Sequence, residues 1–327
     1  MTSWLRSLRD PMIAVLLLAT LLAFAFPTTG ESHRIAGGVA NAAIFLLFLV
    51  NGMRVARSEI VRGLVNWRFF LPLILWVYGA MALLGLGLAK ATIGWLPPLV
   101  ALGFLYLGVL PSTVQSATSY TTMAEGNTAL SVIGAALINI LGVVVSAPLF
   151  AVLGGGAVAE VSGATITRIA LLLVLPFAIG QAVQDWTRNW ILERRDRIVW
   201  LDRMVIGIAV YVAFSGAVEQ GLGEAISAST WLLLGVFVAG LLVIALAGAW
   251  AASGLLRYAY ADRIAFLFAA SQKSVAVGAP LAALLFPPAA AGFVLAPLLL
   301  YHLLQLVVAA PLAGVLARRK AISQPAA

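Results

Sequence analysis

The sequence predicts an all-α polytopic membrane protein of ten transmembrane helices, and three observations carry that prediction. Apolar residues make up 63% of the 327-residue chain and charged residues 10%, with a mean hydropathy of +1.06, far from the balance of a water-soluble domain. The apolar residues gather into runs matched to a hydrocarbon core of about 30 Å, which about 20 helical residues span. Each run is continuously apolar and does not alternate with period two, which excludes a β-barrel.

The first five runs are Pro11 to Phe26, Ile35 to Met53, Trp67 to Leu88, Leu96 to Met123 and Thr128 to Leu153. The second five are Ile166 to Val183, Ile198 to Val218, Thr230 to Trp250, Ala261 to Phe286 and Ala290 to Leu316. The first follows Arg6 and Arg9 and contains Ala23-Phe24-Ala25, a small-x-small pattern like that of a cleaved signal peptide. The charge count below favours keeping it as a span. The longest polar connection, QDWTRNWILERRDR (Gln184 to Arg197), reads as a solvated loop or as a short amphipathic helix on the inner surface, with Trp186 and Trp190 at interfacial positions.

The net charge of +8 would suggest nucleic acid in a soluble protein, but here the basic residues sit in short connections between apolar runs. With the N-terminus in the cytoplasm, sixteen of the twenty Lys and Arg residues fall on the inside, three (Arg34, Lys90, Arg168) outside, and Lys273 within a span. That asymmetry follows the positive-inside rule. A missed span would invert every connection beyond it and destroy the asymmetry, so the count supports ten spans, a cytoplasmic (inner) membrane location and two cytoplasmic termini. No nucleic-acid or protein partner is implied; the partners are membrane lipid and a small solute.

Two spans are interrupted. In the fourth, Pro111 to Asn127 reads PSTVQSATSYTTMAEGN; in the ninth, Ser271, Gln272, Lys273 and Ser274 break an apolar run. Polar interruptions at membrane depth are tolerated where the backbone is buried in protein or lines a wet cavity. They are the fourth spans of two five-span halves, about residues 1–155 and 160–320 of a single domain. An odd number of spans per half sets the halves upside down to each other, the pattern of inverted-repeat secondary transporters with a site at mid-membrane.

Lys273 is the most informative residue, because a lysine at bilayer centre costs about 2.5–3.5 kcal/mol even on the insertion scale. It is a lysine held by backbone carbonyls at a helix break, or a fixed cation that faces an anionic substrate or fills a cation site. Ser112, Thr113, Gln115, Ser116 and Thr118, with unwound carbonyls, supply oxygens for a monovalent cation or donors for a carboxylate-bearing solute. Glu125-Gly126-Asn127 reads as a tight turn, after which Ser131 and Asn139 lie eight residues apart, near one helix face. Enzyme chemistry is not expected: no carboxylate pair lies at this depth, no histidine is expected deep in the bundle beside a serine, and the metal-ligand spacings are absent. The chain has no cysteine and two histidines, His33 and His302, too few for a thiolate or histidine metal centre.

LPSTVQSATSYTTMAEGNTALSVIGAALINILGV together with SQKSVAVGAPLAALLF resembles the bile acid:sodium symporter superfamily, most closely its SBF-like branch, and the resemblance runs the length of the chain. It implies two inverted five-helix repeats in which discontinuous helices four and nine cross. Spans three to five and eight to ten form a core domain; spans one, two, six and seven form a panel. By position, the sodium-binding residues of the family fall on Ser112 through Thr118, Ser131, and Ser271, Gln272, Lys273 and Ser274. Sodium-coupled members carry an acid just before the ninth-span break, where this chain reads Phe268-Ala269-Ala270. The expected function is transport of a small organic anion, bile-acid-like or another amphipathic acid, with Lys273 replacing one sodium ion and no other cofactor. The alternative is a regulatory membrane protein of ion homeostasis, as the calcium role of eukaryotic SBF-like relatives suggests.

Overall fold

The computed structural model describes residues 11–58, 65–155, 167–221 and 227–323. Thirteen helices account for nearly all of them. They are α1 (Pro11–Ala25), α2 (Gly30–Arg54), α3 (Trp67–Ala91), α4 (Pro98–Val109), α5 (Val114–Met123), α6 (Thr128–Gly154) and α7 (Thr167–Ala182). Then follow α8 (Gln184–Glu193), α9 (Arg195–Glu219), α10 (Ala228–Leu255), α11 (Tyr260–Ser271), α12 (Val275–Leu285) and α13 (Pro288–Ser323). Among the described residues there is no β-strand, only an isolated bridge between Ile93 and Leu96.

Seven helices are long and apolar enough to cross a membrane, or up to nine if each bent pair is counted as one span. That falls short of the ten predicted, and the shortfall is α1, whose 15 residues are fewer than a perpendicular crossing needs. The fold is apolar outside as well as inside: Leu232, Val236 and Val243 of α10 are 73%, 61% and 63% exposed, as a lipid-facing surface requires. Polar side chains, by contrast, are drawn inward; Ser112, Gln272, Lys273 and Gln305 are all wholly buried.

The connection Gln184 to Arg197 is helical over α8, which turns 95° away from α7; of the two readings of that stretch, the helix is the one observed. The polar stretch of the fourth span is a correction of another kind. Only residues 110–113 are unwound, and Val114–Met123 is helix, bent 63° from α4. Pro111 explains the position of the break, since it lacks an N–H and disfavours the helical region for the residue before it; Leu110 accordingly sits at φ −77°, ψ 151°. The following hydroxyls leave α5 intact: Thr122 bonds back to the Thr118 carbonyl at 2.9 Å, while Ser116 and Thr121 bond to side chains of other elements.

Glycines set how closely neighbouring helices approach. A Cβ on Gly52 of α2 would lie 2.2 Å from the Phe177 carbonyl oxygen of α7, and one on Gly180 would lie 2.2 Å from that of Leu49. Such backbone contact is the usual role of small residues in membrane bundles. Gly52→Val is therefore expected to destabilise the protein by about 1–3 kcal/mol through overpacking, read as a lowered denaturation midpoint in detergent. Gly37→Val, where a Cβ meets nothing within 4 Å, is expected to leave the midpoint in place.

Candidate functional site

The two breaks meet inside the bundle, where Ser112, Gln272 and Lys273 are wholly buried. Residues 110–113 and 272–274 are extended, and the Ser274 N–H donates to the Pro111 carbonyl at 2.9 Å. Ser116 Oγ donates to Gln272 Oε1 at 3.0 Å, tying the first turn of α5 to the other break. The carbonyl ends of α4 and α11 and the N–H ends of α5 and α12 thus converge, with partial charges of opposite sign side by side.

An unwound backbone buried in a membrane bundle must have its groups paired, and here side chains from α6 and α13 do most of it. Ser146 of α6 donates to the Val109 carbonyl at 2.8 Å, and Asn139 Nδ2 of the same helix to that of Ser112 at 2.6 Å. Tyr301 of α13 donates to the Ser271 carbonyl at 2.7 Å. Gln305 brackets Lys273: its Oε1 accepts the Lys273 N–H at 2.8 Å while its Nε2 donates to the Lys273 carbonyl at 3.1 Å. Ser274 Oγ caps α12 by accepting from the Val277 N–H.

The Lys273 ammonium closes the arrangement. It is wholly buried, and its Nζ donates to the carbonyls of Gly108 at 2.8 Å and Leu110 at 2.7 Å, with that of Val77 at 3.5 Å. Gly108 and Leu110 form the C-terminal end of α4, where the helix dipole favours a cation. Val77 belongs to a π turn of α3, Leu75–Ala80, that follows Pro72. The ammonium thus rests in a cage of backbone oxygens.

Ser112, Thr113, Ser116, Asn139, Gln272, Lys273 and Ser274 come together where the two breaks meet. Thr113 and Ser116 bond to each other through their hydroxyls. The other named residues lie differently. Gln115 is exposed, Ser271 Oγ turns back to the Leu267 carbonyl of its own helix, and Ser131 accepts from Thr121 at 3.1 Å near the far end of α5. Among the residues predicted for the site, three buried polar atoms have no partner: Ser112 Oγ, Thr118 Oγ1 and Gln272 Nε2. The Glu125 turn is as predicted, with Glu125 at φ 56° and Asn127 capping α6 through the Leu130 N–H while donating to Asp262 at 2.8 Å.

The expectation concerned a histidine beside a serine, and the buried histidine found here has Gln305 and the Lys273 carbonyl beside it. His302 is 6% exposed, its Nδ1 2.8 Å from Gln305 Nε2 and 3.5 Å from the Lys273 carbonyl oxygen. Tyr301, His302 and Gln305 are the residues that sequence reading passed over. Their signal was present, since three polar groups at i, i+1 and i+4 stand in the middle of an apolar span.

The sequence profile of the SBF-like CPA transporter family matches residues 10–318. The chain belongs to that family. Relatives of this SBF-like protein include the uncharacterised PA2026 of Pseudomonas aeruginosa, 36% identical over 96% of this chain and 95% of the relative. The candidate symporter YfeH of Escherichia coli K12 is 35% identical over 93% of this chain and 92% of its own. Mouse sodium/bile acid cotransporter 7 is 23% identical over 82% of this chain and 80% of its own. The SBF-like chain is therefore an integral membrane protein of a transporter family, which implies a small-molecule substrate.

Proposed function

We propose that this protein is a secondary transporter of a small organic anion, an amphipathic body bearing one acidic group, that works by alternating access and needs no sodium at the α4 end. The observation that carries the reading is the Lys273 ammonium in its carbonyl cage. Two or three backbone oxygens at a helix C-terminus are a site for a bare monovalent cation, and a tethered ammonium fills it. No carboxylate is bonded to this cage. A sodium ion placed beside the ammonium would meet repulsion of about 4 kcal/mol at 4 Å and an effective dielectric of 20. The cage therefore suits the lysine and does not suit sodium.

The anion belongs on the opposite partial charge, at the N–H end of α5. Gln272 Nε2 and Ser112 Oγ are buried there without partners, and exposed Gln115 and half-buried Ser116 lead from that end to the surface. In this reading α3–α6 and α10–α13 form the core and α1, α2, α7 and α9 the panel, two inverted repeats of five spans with both termini in the cytoplasm. Helix α9 packs on α1 and α2 and also on α12 and α13, so panel and core meet along it.

The test is thermal stabilisation of detergent-purified protein by organic anions, with and without sodium. An anion at 100 times its dissociation constant is expected to stabilise the wild type by about 2.7 kcal/mol in the absence of sodium, and Lys273→Met is expected to lose the effect. Equal stabilisation of both proteins by sodium alone would instead assign ordinary sodium symport.

A further inference from the structure

Helix α8 is held rigidly at its base. Gln181 Nε2 donates to the carbonyls of Gly52 and Val55 at 2.6 and 2.9 Å, and Gln184 Nε2 also reaches that of Val55. Arg57 pairs with Asp185 at 3.1 Å, Arg54 with Asp202 at 2.9 Å, and Ile191 packs with Val50 and Ile198. These contacts pair Arg54 and Arg57 and fix α8 at 95° to α7.

The outward side of this short helix is built differently. Trp186 and Trp190, four residues apart and so on one face, are 82% and 52% exposed, and Trp200 at the start of α9 is 50% exposed. Arg194 lies over the Trp190 ring at 4.6 Å and Arg203 over Trp200 at 5.1 Å. Exposed Arg195 and Arg197 make no ion pair among the described residues, whereas Arg188, two residues from each α8 tryptophan, lies on the opposite face with its Nε buried. Leading to this point, Leu171, Leu175 and Ile179 form an exposed stripe along α7 at spacing four, 52%, 44% and 40% exposed.

We propose that α8 and the first turns of α9 are a docking platform for the phosphate headgroup of an anionic phospholipid, whose acyl chains run down the apolar stripe of α7. Indole rings take the boundary between hydrocarbon and water, and guanidinium forks suit phosphate oxygens. A soluble anion would use the arginines but leave the stripe and the tryptophans bare; a zwitterionic lipid would use the stripe but not the excess cations. The inference stands apart from the transport reading, since it invokes neither the two breaks nor a substrate.

The test adds phosphatidylglycerol, phosphatidylcholine or soluble glycerol phosphate to detergent-purified protein and reads thermal stabilisation and lipid retention in native mass spectrometry. Phosphatidylglycerol is expected to bind best, weakening about fivefold for each of Arg195→Gln and Arg197→Gln, the factor that one surface cation contributes against an anionic leaflet. Trp186→Ala with Trp190→Ala is expected to lower retention of both lipids, and Arg257→Gln, outside the platform, to change nothing. Equal binding of the two lipids, equal stabilisation by glycerol phosphate, or an anionic preference that persists in the double variant of Arg195→Gln with Arg197→Gln would each overturn the proposal.

Discussion

Lys273→Met is expected to lower the stability of the folded protein by about 2–6 kcal/mol, the cost of leaving the two carbonyls that hold the ammonium unpaired in a buried site. Methionine keeps most of the unbranched chain, so packing changes little. What is lost is the donor to the Gly108 and Leu110 carbonyls, and each buried carbonyl left unpaired costs about 1–3 kcal/mol. The shorter Lys273→Ala is expected to suffer similarly but to leave a space lined by the same oxygens. Sodium should then stabilise Lys273→Ala and have no such effect on the wild type. The comparison is made by denaturation midpoints in sodium and in an impermeant organic cation. Steep, saturable sodium dependence of uptake that survives in Lys273→Met would refute the substitution of lysine for the ion.

Gln305→Leu is expected to cost about 2–5 kcal/mol, because it strands both the N–H and the C=O of Lys273 in a site that water does not reach. No backbone neighbour is placed to replace it, since the extended turn at residues 272–274 lies outside either helical ladder. Tyr301→Phe removes a single bond, that to the Ser271 carbonyl, and is expected to cost about 1 kcal/mol. Hydrogen exchange at the Lys273 amide gives a second readout, fast in Gln305→Leu and protected in Tyr301→Phe. Midpoints for the two variants that coincide would mean that Gln305 does not hold the break.

The membrane class, the order of the helices and both interruptions were legible in the chain, because hydropathy and proline chemistry are local properties. Pro111 ends α4 wherever α4 happens to pack, and a run such as Thr230 to Trp250 must be a buried or lipid-facing helix in any arrangement. The SBF-like resemblance was legible for the same reason, residing in the continuous stretches around Pro111 and Ser271. Even the depth of Lys273 followed from counting residues to either end of its span.

What its ammonium touches did not follow. Its partners, Gly108 and Leu110, lie more than 160 positions away in the sequence, and no local rule relates them. The same distance hid the bracket of Gln305, the burial of His302, and the difference between Asn139, which reaches the break, and Ser131, which pairs with Thr121. Local hydropathy decides that a segment leaves water. Which buried donor meets which buried carbonyl is decided only when the helices pack, because in a medium without water each polar group must take its partner from whatever element lies beside it.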